Sequence, residues 1–281
     1  MKKLIITADD YGMSRAVNDA IDAGIDAGLI TSTNVMTNMP LYREAVKLKD
    51  KKGVSVGIHW VLACGKPVLP AYEIPTLVND NGEFYSYSKF RKKLRRKLIS
   101  FDDIKKELIA QYSLYYEVMG QPDYWNTHQN THVDFDIYRL FVDTAIELGI
   151  CKMRSHQRIY VKGSDDSCKM PLMWRVVEPI KSRLLDCWQN NAHKKGINSP
   201  DGLIVCLNKD DVNRLDYLFS HIEWDKNHVG EYVIHPATKN DSSYFGKIVD
   251  QRINEYTLFT AQDTKQILEE NNIELVSYEN I

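Results

Sequence analysis

At 281 residues the chain is long enough to bury a sizeable core, as one large α/β domain or two modest ones. Hydrophobic residues make up 43% and charged residues 26%, and a formal net charge of -2 gives no electrostatic case for nucleic acid, so a small-molecule partner is expected. No apolar stretch approaches membrane-spanning length, and Asp9 and Asp10 interrupt the first apolar run too early for a signal-peptide core; a cytoplasmic location follows as the default.

The segment Leu4-Ile-Ile-Thr-Ala-Asp-Asp-Tyr-Gly12 reads as a strand that ends in two adjacent carboxylates. Like charges side by side resist joint ionisation, so such a pair calls for a cation, a shared proton or exposure to solvent. From Ser14 to Leu29, apolar residues at Val17, Ala20, Ile21, Ile25 and Leu29 keep helical spacing, with Ser14 as N-cap and Gly28 weakening the end. A strand over Ser32–Thr37, a helix over Pro40–Lys49 and a strand over Val54–Ile58 closing at His59 complete a β-α-β-α-β opening. The pattern resumes with a helix over 102–119, a short strand running into His128, a helix over 137–148 and a strand near Lys152–Arg154. Near the end, a helix over 210–221, the strand Gly230–Ile234 delivering His235, a helix over 260–271 and a strand over 273–276 follow.

Such alternation predicts a parallel sheet or barrel with helices outside and active residues at the C-terminal ends of the strands, read as one α/β domain over 1–281. Two excursions, at about 60–101 and 159–208, break the pattern. The first carries three prolines and Asn81-Gly82 and could form a substrate wall; its basic run Lys89–Lys97 reads as an exposed helical face in a near-neutral chain. The five cysteines are odd in number and have no C-x-x-C spacing, so they are expected to be reduced, buried thiols.

Asp9, Asp10, His59 and His128 all fall at predicted strand ends, with His235 as a fifth. Two imidazoles and one carboxylate with open positions suit a catalytic divalent ion, the spare carboxylate serving as base. His128 and His132 are four apart, which on a helix would direct both to one ion. Entry from a strand instead favours His128 as ligand and leaves His132 to a supporting or substrate contact.

Ala8-Asp-Asp-Tyr-Gly12, Thr31-Ser-Thr-Asn-Val-Met-Thr-Asn-Met-Pro40, Val56-Gly-Ile-His59, Asn126-Thr-His-Gln-Asn-Thr-His132 and His235-Pro236, in this order, resemble the YdjC-like carbohydrate deacetylases, which include chito-oligosaccharide deacetylases. The resemblance implies a (β/α)-barrel-like fold related to polysaccharide deacetylases and metal-dependent removal of acetyl groups from N-acetylated amino sugars. It implies Asp10, His59 and His128 as ligands of a divalent ion, magnesium or zinc, with Asp9 as general base and His235 as general acid. A carboxylate partner is expected for His235, to keep it protonated near a cation. The family commonly carries D-S-H-Q-H-V-H in the fourth motif; here Asn126 and Asn130 replace its first aspartate and middle histidine.

Among aromatic residues able to face a sugar, namely Trp60, Tyr72, Trp125, Trp174 and Tyr244, Trp60 is the first choice because it follows a proposed ligand directly. Arg154 sits in a segment loosely similar to the family's arginine-containing stretch and is a further candidate, a rim salt bridge being the alternative. Other metallohydrolase chemistry, such as phosphoester cleavage, and non-catalytic sugar binding are the competing functions. A homodimer is compatible with a barrel of this size, without a residue that argues for it.

Overall fold

The computed structural model of the chain describes residues 2–134, 137–161, 172–205, 214–224 and 229–281, and for 172–179 the backbone alone. Eight strands are described: β1 (Lys2–Tyr11), β2 (Ser32–Val35), β3 (Ser55–Trp60), β4 (Trp125–Thr127), β5 (Arg158–Tyr160), β6 (Gly202–Val205), β7 (Val229–Ile234) and β8 (Ile273–Leu275). They form one sheet in the order β4-β3-β2-β1-β7-β6-β5, every pairing parallel. β8 joins the first residues of β1, Lys2 to Leu4, beneath β2. Isolated parallel bridges, Trp125↔Met153 and Lys152↔Asn198, continue the pairing from β4 toward the segment that leads into β6, so the sheet curls as a barrel does.

The helices described are α1 (Arg15–Asp26), α2 (Tyr87–Arg95), α3 (Phe101–Met119), α4 (Tyr138–Glu147), α5 (Leu172–Lys194), α6 (Leu215–Ser220), α7 (Val249–Leu258) and α8 (Gln262–Glu270). Ser14 caps α1 by accepting from the Val17 amide at 3.3 Å, as its sequence predicts. The turn from β1 into α1 requires Gly12: its φ is +99°, and a Cβ there would lie 2.9 Å from the Tyr42 backbone.

The expected helix over 40–49 is instead a 3-10 helix, Tyr42–Leu48, and the strand expected at 152–154 is reduced to isolated bridges. The basic run of the first excursion starts on α2 and ends just past it at Arg96 and Lys97; the helix buries Phe90 and Leu94 and turns most of its charges outward, as a solvated face does. The helix expected over 210–221 is described only as α6. Cys168, Cys206 and His228 lie outside the described residues. Of the cysteines described, Cys64 is half-buried while Cys151 and Cys187 are exposed, which corrects the expectation of buried thiols. Among the described residues, no helix is long and apolar enough to cross a membrane.

Candidate active site

Asp9 and Asp10 both line a pocket of about 450 Å³ at the C-terminal ends of the strands, together with His59, His128, Arg154 and His235. Neighbouring residues on a regular strand point to opposite faces. β1 escapes that rule because its register shifts between Ala8 and Tyr11 and Asp10 adopts φ +76°, a conformation that aspartate tolerates better than most residues. The irregularity brings both carboxylates into one cavity.

Asp10 is fully buried. Its Oδ1 lies 3.0 Å from His128 Nδ1 and 3.4 Å from His59 Nε2, while Oδ2 accepts from Arg252 at 2.5 Å. Burial disfavours its charge, but His128 and Arg252 outweigh that and hold its carboxyl well below the usual range. Conversely His128, opposed by burial, is raised to about 9 by Asp10. The three ligand atoms of Asp10, His59 and His128 lie within 4.8 Å of one another. The two separations from Asp10 match the ~3–3.5 Å between donors gathered around one ion at ~2.1 Å, so this N/N/O set fits a divalent metal.

Asp9 has a different environment. Arg154 grips it with two parallel bonds, Nη2 to Oδ1 at 2.6 Å and Nη1 to Oδ2 at 2.8 Å, and Asn34 donates to Oδ1 at 2.6 Å. Against the burial that would raise it, the Arg154 charge keeps the Asp9 carboxyl far below the ordinary value. Arg154 also donates to Glu231 at 3.1 Å, and Glu231 in turn accepts from Thr7 and Tyr278. His235 follows β7, part-exposed to the pocket, its Nε2 3.8 Å from Asp9 Oδ2. The partner carboxylate expected for its ring is therefore Asp9; Glu255 accepts from the His235 backbone N–H at 2.6 Å instead.

Two candidates turn away from the pocket. Trp60 is next to His59 on β3, and strand alternation sends its ring to the opposite face, against Trp125 and Phe141, where its Nε1–H bonds to the Leu108 carbonyl. It is fully buried and cannot face a sugar. His132 does not share an ion with His128, because Gln129 and Asn130 have φ of +57° and +50° and break the helical spacing. Its Nδ1 lies 2.5 Å from Thr127 Oγ1 and its Nε2 3.1 Å from His156 Nε2, in the core. Of the other aromatic residues, Tyr244 lines the pocket, Trp125 is buried, Tyr72 is exposed elsewhere and the side chain of Trp174 lies outside the described residues. Arg252, Glu231 and Asn34 are parts of the site that sequence reasoning missed; for Asn34 the signal was present, in the Thr31–Pro40 stretch.

The buried His132–His156 pair predicts a pH dependence of stability. Burial, then Arg154, pushes His156 from 6.5 down to about 3, and burial, then His156, carries His132 well below 6.5. Between these values the unfolded chain binds more protons than the folded one, so this stabilisation is complete above about pH 6.5 and is lost as pH falls toward 3, by at most about 1.4 kcal/mol per pH unit per group. In metal-free protein His128 acts oppositely, its contribution being lost as pH rises from 6.5 through about 9. Urea unfolding of metal-free protein should therefore show maximal stability near pH 6.5, and His156→Gln should flatten the decline between pH 6.5 and 5. An undiminished decline in that variant would contradict the assignment.

The fold and the site define an α/β barrel-type protein with a carboxylate–histidine centre at the C-terminal rim of its sheet. The chain belongs to the YdjC-like protein family, whose model matches residues 3–270. It is 36% identical over 131 residues to the carbohydrate deacetylase of Halalkalibacterium halodurans, a match spanning 46% of this chain and 54% of that protein. Its similarity to the carbohydrate deacetylase of Clostridium beijerinckii runs the full length, with 28% identity over 287 residues, 99% of this chain and 100% of the other. Among solved structures, an Enterococcus faecalis protein named for cellobiose-phosphate cleavage shares the fold, with a TM-score of 0.74, 24% identity, and coverage of 99% of this chain and 98% of that one.

Proposed function

We propose that this protein is a metal-dependent hydrolase that removes acetyl groups from N-acetylated amino sugars or their oligosaccharides. The observation that carries this reading is the division of labour between the two carboxylates, Asp10 grouped with His59 and His128, and Asp9 held by Arg154 beside His235. Membership of the YdjC-like family and the carbohydrate deacetylases among the relatives supply the substrate class.

Asp10, His59 and His128 would hold the ion; two imidazoles favour zinc, while the carboxylate and open positions also admit magnesium. When bound, the ion supplies a Lewis acid that polarises the acetyl carbonyl and favours ionisation of water. Asp9 stays anionic under the Arg154 charge and accepts a proton from the attacking water. As the C–N bond breaks, His235, beside Asp9 on the pocket wall, donates a proton to the leaving nitrogen, giving acetate and a free amino sugar. Tyr244 offers an aromatic face at the pocket wall for the sugar ring.

Phosphoester cleavage would need cationic side chains open to a phosphate. Arg154 and Arg252 are already engaged by Asp9 and Asp10, whereas Lys247 lines the pocket and is exposed, so a direct phosphatase assay separates the two chemistries. The test is release of acetate from a panel of N-acetylated mono- and oligosaccharides, with 4-nitrophenyl phosphate run in parallel. Acetate from at least one sugar and no phosphate is the expected result; phosphate release, or sugar binding without acetate, would favour the competing functions.

A further inference from the structure

Asn126 stands between the two halves of the site. Its carboxamide has one end 2.6 Å from His59 Nδ1 and the other facing Arg154 Nη2 at 2.8 Å, Arg154 Nη1 at 3.1 Å and Asn34 Nδ2 at 3.0 Å. All three nitrogens on the second side are donors, so the hydrogen-bond network assigns Oδ1 toward them and Nδ2 toward His59, in preference to the opposite orientation, in which Oδ1 meets His59 Nδ1 at 2.6 Å. His59 Nδ1 then accepts, and the proton of the neutral ring resides on Nε2, the nitrogen that faces Asp10.

A histidine that ligates through Nε2 needs that nitrogen bare and the proton on Nδ1, held by an acceptor. Asn126 can accept from Nδ1–H only by turning its amide over, which presents an NH2 group to the Arg154 guanidinium in a buried site and removes the acceptor from three donors. A carboxylate at this position would accept on both sides at once, without that conflict.

We propose that Asn126 is a positioning residue that locks His59 in its non-ligating tautomer in the metal-free protein, so that metal binding must turn the amide against Arg154 and the site is a weak, readily exchanging one. The affinity part rests on the metal reading above; the tautomer part does not. Amide orientation thus links the ligand set around Asp10 to the Arg154 clamp on Asp9, which Asn34 also bridges.

The experiment compares metal-free wild type and Asn126→Asp by ¹⁵N chemical shifts of the His59 ring at alkaline pH, and by zinc affinity in competition with a fluorescent chelator. Wild type should show His59 with its proton on Nε2, and Asn126→Asp should move it to Nδ1 and tighten zinc binding by roughly 10- to 100-fold. The added charge alone could raise affinity, but it would not change a tautomer already of the Nδ1–H form. Finding Nδ1–H in metal-free wild type overturns the proposal, even if the variant fails to fold; so does a variant whose zinc affinity equals that of wild type. Absence of zinc binding by both proteins overturns the metal reading and the affinity half with it, while a wild-type Nε2–H tautomer would still support the amide lock.

Discussion

Replacing Asp9 with Asn should reduce acetate release by roughly 10²- to 10⁴-fold while leaving divalent-metal binding in place. The substitution keeps the shape of the side chain and one acceptor for Arg154 or Asn34, but removes the group proposed to take the proton from water. Because Asp9 is not among the three grouped ligand atoms, metal affinity should hardly change. Acetate release and metal affinity, measured on the same preparation, check this; a variant that loses metal but keeps turnover when saturated with it would invert the roles given to the two aspartates.

The second large effect concerns Arg154, buried between Asp9 and Glu231. Arg154→Met preserves much of the volume and leaves two buried carboxylates without their cation, which should destabilise the fold by about 3–5 kcal/mol. The same change releases the Asp9 carboxyl from the charge that depresses it. A carboxyl whose folded-state value rises loses its charge at higher pH, so any acid limb of activity that reports Asp9 moves upward. Urea unfolding and a pH–rate profile test both halves, and a loss below about 1 kcal/mol would mean that Arg154 is merely a rim salt bridge of the exposed kind.

Much of the site was legible because strand ends leave a mark in sequence. Predicted strands that stop at Asp9-Asp10, His59, His128 and His235 place these groups on one rim once the strands are parallel, and the structure gathers them there. Trp60 misled because adjacency in sequence is opposition on a strand. The missing members were hidden by charge. The buried residues of α7 are Arg252 and Glu255, so hydrophobic periodicity would turn its functional face outward, and nothing in the sequence links Arg252 to a carboxylate 242 positions earlier. α5, Leu172–Lys194, falls in the second excursion, where apolar periodicity is too poor to mark a helix. The 3-10 helix Tyr42–Leu48 and the displaced His132 follow from backbone conformations at Gln129, Asn130 and Leu41–Lys49 that side-chain pattern does not encode.

Deacetylation as proposed requires one divalent ion, held by Asp10, His59 and His128. The most direct measurement is to titrate zinc or magnesium into chelator-stripped protein with an acetylated sugar that it cleaves, following bound ion and released acetate together. Acetate release should be absent in the stripped protein, rise with the first equivalent bound, and fail to return in His128→Gln at the same ion concentration. Full release from the stripped protein, or from the variant at equal ion concentration, would contradict the account.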